Sequence, residues 1–171
     1  NNIMDADGAL ACVREFEEMA CVVVKHANPC GVAIGNDLLD VYERAFNADP
    51  LSAFGGIIAF NRGCTKEVAS AISEVFVEIV LAPSFEPEAL EIFKKKKNLR
   101  VLEIGEFGKR EKKIEVRNID GGILVQDTDT KILTKDDLTT VTRREPSEKE
   151  IETSLFTWKV LRHTKSNGIL I

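Results

Sequence analysis

No two of the four cysteines, Cys12, Cys21, Cys30 and Cys64, stand at CxxC spacing. Structural zinc recruits close pairs of ligands, so this spacing argues against a zinc site. Free thiols fit a reducing cytoplasm, and Cys12 and Cys21 read as small core hydrophobes. Long apolar runs are missing too; a membrane-crossing helix needs roughly 20 such residues. No signal-peptide pattern opens the chain. There is no basic excess: 23 Lys and Arg against 28 Asp and Glu give a net charge of −5, so no positive field points to nucleic acid. Long repeats and low-complexity tracts are absent. Histidine is scarce, with only His26 and His163.

What is present reads as one sizeable α/β domain, or at most two small ones: 171 residues, 44% hydrophobic and 30% charged. The chain opens on Asn1 and closes on Ile169-Leu170-Ile171, an apolar run cut short, so it reads as a piece of a longer protein. Helical spacing predicts a helix over 5–18, capped by Asp5 or Asp7, with Leu10, Val13, Phe16 and Met19 inward. Cys21-Val22-Val23-Val24 does not alternate and predicts a buried parallel strand. Breakers make residues 27–36 a loop. A helix over 37–48, the strand Gly56–Asn61, a Thr65-capped helix, the strand VEIVLAP and a helix over 86–97 follow. Lys94–Lys97 read as a helix C-terminus, where cations are favoured, rather than as a phosphate site. NLRVLEI predicts another strand, Gly105–Lys113 a surface loop, and Asp120-Gly121-Gly122 a hairpin turn. Ser147 and Glu150 form a capping box for a helix to about Leu161, with Ile151, Leu155 and Trp158 on one stripe. A last strand follows HTKSNG. Alternating strands and helices imply a mixed, mainly parallel sheet covered on both faces, with chemistry in loops at strand carboxyl ends. KHANPCG and LAPS occupy such places; SAFGG and HTKSNG precede strands instead.

Lys25-His26 is the pair with chemical potential. An imidazole titrates near neutral pH and can take a proton from a poor nucleophile. A neighbouring ammonium can bind phosphate or stabilise an oxyanion. The pairing suits a weakly basic amine that must lose a proton while attacking a carbonyl. A solvated strand end is the plainer alternative. In Asn28-Pro29-Cys30-Gly31, Asn can take the left-handed region and Gly lets backbone approach a ligand closely. No base marks Cys30 as a nucleophile.

KHANPCG, together with SAFGGIIAF, FVEIVLAP, PSEKEIETSLFTWKV, KSNGILI and the opening NNIMDADGAL, resembles the AICAR transformylase part of bifunctional purine biosynthesis proteins, and the bacterial form most of all. These blocks run in register over residues 1–171. The resemblance implies a cytidine-deaminase-like layered α/β fold, with residues 1–171 as the first of two such units, truncated at both ends. It also implies formyl transfer from 10-formyltetrahydrofolate to the 5-amino group of AICAR ribonucleotide, giving FAICAR. An N-terminal cyclohydrolase domain outside this chain would close FAICAR to IMP. A homodimer with sites at the subunit interface is implied, with no membrane or nucleic-acid partner and no deaminase zinc. HxE joined to PCxxC is indeed absent, since Pro29-Cys30 is followed by Gly31-Val32-Ala33. By the same resemblance Lys25, His26 and Asn167 are catalytic, His26 as base, Lys25 stabilising charge at the formyl carbon and Asn167 orienting the formyl oxygen. Asn2, Gly55 and Glu78 contact the nucleotide, although relatives often carry aspartate at the Glu78 position. Val160, Thr164 and Ser166 align with oxygen donors to potassium in some members. His163 has no assigned role. The family's phosphate-clamping arginine and much of its folate pocket lie outside this sequence, so little activity is expected of the piece alone. Two other readings stay open: a cytidine-deaminase-like module that binds nucleotide or dimerises without chemistry, and a zinc deaminase.

Overall fold

The computed structural model describes residues 2–108 and 112–170. Asn1 of the opening motif, 109–111 of the polar loop and Ile171 of the expected last strand lie outside them. Two compact units result: residues 1–107 with 156–171, and residues 108–155.

The first unit carries a five-stranded sheet, β1 (Met19–Lys25), β2 (Asn28–Gly35), β3 (Ile57–Phe60), β4 (Ile79–Ala82) and β5 (Arg100–Glu103), in spatial order β2-β1-β3-β4-β5. β1 is antiparallel to both β2 and β3, while β3, β4 and β5 are mutually parallel. Four of the five strands therefore point one way and β1 points the other. The expected mainly parallel sheet is present, but the strand singled out as parallel is the one that runs against the rest.

β1 is apolar throughout because both its faces are covered, not because its neighbours are parallel. Ala20, Val22 and Val24 face a layer made by α1 (Asn2–Val13), through Ala6, Ala9, Cys12 and Val13, with Phe16 and Val160. Cys21 and Val23 face the opposite layer of α2 (Leu38–Asn47), α4 (Lys66–Ser73) and α5 (Pro87–Phe93). A short helix, α3 (Pro50–Ala53), precedes β3. Thr65 caps α4 through its side chain, as expected, while Asp37, read as the first residue of a helix over 37–48, instead caps α2. α1 begins at Asn2, so Asp5 lies inside the helix, buried, and does not cap it. α5 ends at Phe93, leaving the lysine run in the turns beyond.

KHANPCG is not a loop. His26 and Ala27 both adopt the left-handed region, φ 53° and 58°, and form a two-residue turn closed by the pair Lys25 and Asn28. Two consecutive left-handed residues give the primed turn that matches strand twist. Asn28, expected in that region, is the first residue of β2. Pro29 is tolerated because β2 is an edge strand and its register shifts there. Gly31 lets α2 pack closely on β2: a Cβ there would lie 1.8 Å from the Ala45 carbonyl oxygen of α2.

In the second unit β6 (Ile114–Ile119) and β7 (Gly122–Asp127) pair through Asp120-Gly121, with Gly121 at φ 76°. A 3-10 turn covers Lys135–Asp137. α6 (Glu148–Leu161) starts on the expected capping box: the Ser147 amide donates to Glu150 Oε2 at 2.7 Å, and the Glu150 amide to Ser147 Oγ at 3.3 Å. Its Trp158 is exposed; Phe156 and Val160 are the residues that reach the α1 layer. Residues 168–170 join neither sheet, so the strand expected after HTKSNG does not form there. No described helix is long and apolar enough to cross a membrane.

Asn61 stitches the return from α1 into β1. Its amide donates to the carbonyls of Phe16 (2.9 Å) and Glu18 (2.6 Å) and accepts from the Ala20 amide (2.8 Å), all while 4% exposed. Asn61→Leu strands two buried backbone groups and a part-buried third, and should cost about 3 kcal/mol, read as a lowered urea midpoint. Gly31→Ala should cost about 2 kcal/mol by pushing α2 off the sheet.

Candidate functional site

Because β1 is reversed, its end lies beside the beginnings of β3, β4 and β5. Val24 pairs with Ile57, Ile57 with Ile79, and Ile79 with Arg100. Lys25, Gly55, Glu78 and Arg100 therefore share one rim of the sheet. SAFGG needs no crossover or second subunit to meet KHANPCG. LAPS, at the end of β4, sits at the opposite rim against Cys64, whose amide donates to the Ser84 carbonyl, and it takes no part.

The Lys25 ammonium donates to the Gly55 carbonyl at 2.6 Å. Gly55 has φ 65°, and its amide donates to the Phe76 carbonyl at 2.8 Å. A Cβ there would be strained and would meet Lys25 Nζ and the Phe76 ring at 3.1 Å, so the tie needs glycine. Glu78 immediately precedes β4 and is part-exposed, not buried within a strand. Its Oε2 accepts from Asn2 Nδ2 at 3.3 Å and from Arg100 Nη1 at 3.0 Å. Two expected nucleotide-contacting residues thus meet, joined by an arginine that local sequence did not mark.

A cleft of about 760 Å³ opens beside the turn, lined among others by Lys25, His26, Cys30, Asp49, Val160 and Leu170. The His26 side chain is exposed at its wall. Leu51 and Phe54 also line it and are largely exposed; Phe54 packs on Phe76 with ring centroids 5.4 Å apart. Gly55, Asn2 and Glu78 stand on the same rim outside the lining. Asn167 is exposed and likewise off the lining, but the chain just before it is fastened to the turn: the Lys165 amide donates to Asn28 Oδ1 at 3.0 Å. His163 is packed, its Nε2 2.8 Å from Glu15 Oε1, and Arg162 Nη1 reaches Glu15 Oε2 at 3.3 Å. Glu15 follows a helix end, and no local pattern advertises it.

Val160, Thr164 and Ser166 do not fit a cation as arranged. The Val160 carbonyl already accepts from the His163 amide (2.9 Å) and the Thr164 hydroxyl (3.4 Å), and Ser166 is exposed. Among the described residues no group of three or more His, Cys, Asp or Glu side chains is placed to hold a metal.

The AICARFT/IMPCHase bienzyme family model matches residues 1–171. The chain belongs to the AICARFT/IMPCHase bienzyme family. It is thereby a member of a purine-biosynthesis family, and the Lys25-His26 turn lies in KHANPCG, one of the blocks that carried the resemblance. Similar solved structures include Acinetobacter baumannii RibD, form 1 (12% identity, TM-score 0.41, 58% of this chain and 34% of that one). Others are its form 2 (14%, 0.39, 58% and 32%) and the dCMP deaminase from the cyanophage S-TIM5 in apo form (11%, 0.43, 58% and 94%). The chain thus spans about a third of the RibD chains.

Burial raises the Cys30 thiol to about 11, with Asp49 adding to the effect and Lys25 opposing it; burial likewise lifts Cys12 and Cys64 to about 12. A raised thiol is protonated at neutral pH and is a poor nucleophile. At pH 8, Cys30 should be alkylated by iodoacetamide roughly a hundredfold more slowly in the folded protein than in guanidinium. Mass spectrometry of the labelled peptides measures this; a native rate equal to the denatured rate would show that burial does not raise the thiol.

Proposed function

We propose that this chain supplies the proton-transfer half of a site that moves a formyl group from 10-formyltetrahydrofolate to the 5-amino group of AICAR ribonucleotide, in a cytoplasmic enzyme. His26 takes a proton from the amine as its nitrogen attacks the formyl carbon. The Lys25 ammonium stabilises the charge that develops on the formyl oxygen, and Asn167 donates to that oxygen. The N10–formyl bond then breaks, N10 regains a proton, and FAICAR and tetrahydrofolate leave. Asn2, Gly55 and Glu78 hold the nucleotide at the rim. Potassium enters no step.

The observation that supports this reading best is the meeting of Lys25 and His26 on one cleft wall large enough for a nucleotide or folate head group, with Lys25 anchored on Gly55. Adjacent strand residues ordinarily point to opposite faces; the left-handed backbone at His26 removes that obstacle. A second copy of the chain belongs to the reading as well. Leu51, Phe54 and Phe76 leave apolar surface uncovered beside the cleft, as expected where another subunit packs.

Lys25→Ala and His26→Ala in the full-length protein should each lower transformylase turnover by roughly 10²- to 10⁴-fold while cyclohydrolase activity persists. Turnover surviving both changes would overturn the assignment. Nucleotide binding without transfer from the folate donor would favour a module devoid of chemistry.

A further inference from the structure

Once α6 ends, the backbone that carries Asn167 leaves regular structure, and its last helical-type hydrogen bond runs from the Thr164 amide to the Leu161 carbonyl. The next tie is different in kind. The Lys165 amide donates across the molecule to Asn28 Oδ1 at 3.0 Å. A backbone amide can only donate, so the oxygen of the Asn28 amide must face Lys165 and its nitrogen must face away. That nitrogen points at the His26 carbonyl, 3.4 Å off, and the Lys165 ammonium approaches the same carbonyl at 3.5 Å. One side chain thus touches both the turn that presents His26 and the segment that presents Asn167. Asn28 also pairs with Lys25 across the turn. Behind this contact, Glu15 holds His163 and Arg162 from the α1 side, with its own side chain 4% exposed.

We propose that Asn28 is a positioning residue: its amide is the strut that fixes the distance between the Lys25-His26 turn and the Lys165–Asn167 segment, with the Glu15 pairings holding the far end of that segment. The inference rests on the formyl-transfer reading, in which those two segments must act on one carbonyl. The physical reason is the asymmetry of support. The turn is held by β1, inside the sheet. The Asn167 segment belongs to no sheet or helix, and among the described residues its contacts with the turn, the Lys165 amide to Asn28 Oδ1 and the Lys165 ammonium to the His26 carbonyl, each use a side chain. Alanine at 28 would keep the fold of β2, an edge strand, and remove both hydrogen bonds from the strut. Aspartate would keep an acceptor for the Lys165 amide and lose the donor to the His26 carbonyl.

The test compares Asn28→Ala and Asn28→Asp with wild type in the full-length protein, alongside His26→Ala. Asn28→Ala should lower kcat about 10- to 100-fold, the scale of a misplacement near 1 Å, with KM for both substrates within about threefold. Asn28→Asp should recover part of kcat. Amide hydrogen exchange at Lys165 should accelerate in Asn28→Ala and stay near wild type in Asn28→Asp, while amides of β1 and β3 remain protected. Should Asn28→Ala fold poorly, Asn28→Asp alone decides through its kcat and its Lys165 exchange. Wild-type kcat with a freely exchanging Lys165 amide would overturn the strut while leaving the reaction assignment intact. Full turnover in His26→Ala would overturn the assignment itself. An equal fall in thermal stability and activity, with no change at Lys165, would make Asn28 merely structural.

Discussion

The reversal of β1 is the constraint on which the rest depends. With β1 running against β3, the end of one strand meets the beginning of the next, so Lys25-His26 lies next to Gly55 and on the rim that also bears Glu78 and Arg100. If β1 ran parallel to β3, Lys25 would sit at the far end of a four-residue strand, roughly 13 Å away. The reversal is made possible by the two-residue turn. His26 and Ala27 occupy a backbone region that costs L-residues on the order of 1 kcal/mol each, and neither is glycine. The sheet pays that cost because β2 is paired along its length with β1 and sealed by α2. The paired strands on either side hold the two left-handed residues in place.

Local chemistry was legible wherever a side chain answers to its own neighbours. The Thr65 and Ser147 caps and the Asp120-Gly121 turn form as their residue types dictate, since each needs only groups within three positions. The apolar run of β1 was legible as burial on two faces. Its direction was not, because burial pattern reports cover and not the sense of the neighbours. The breakers in NPCG misled for a related reason. Pro29 and Gly31 are compatible with a strand only at an edge, at a bulge and against a helix backbone, and none of those conditions can be read before the sheet order is known. α1 was displaced because Asp5, a good cap by type, is buried one turn inside the helix.

The site was legible in composition and illegible in pairing. The residues were named from resemblance, and the chemistry of a lysine beside a histidine could be argued from type. That Lys25 would be tied to residue 55, or Asn2 to residue 78, depends on register across three strands and cannot be seen in spacing. Arg100 escaped notice for the same reason: it opens a strand at an ordinary surface position and gains meaning only because Ile79 is its neighbour in the sheet. Asn28 and Lys165 are 137 positions apart, and their contact requires α6 to return its end to the first turn of the fold.

The rim also sorts its charges. Arg100 is balanced by Glu78 at 3.0 Å, and both side chains are partly solvated, so this pair adds little to stability and leaves no net field. Lys25 is anchored differently, on the neutral Gly55 carbonyl, and among the described residues no carboxylate is within ion-pair distance of it. A carbonyl fixes the position of an ammonium group without neutralising its charge, as a carboxylate would. The same anchor favours glycine at 55, where the backbone has positive φ and a Cβ would crowd Lys25 Nζ and the Phe76 ring at 3.1 Å. Strand direction, a glycine at positive φ and an ammonium group held on a neutral carbonyl are thus one arrangement, and His26 sits one residue beyond it at the wall of the cleft.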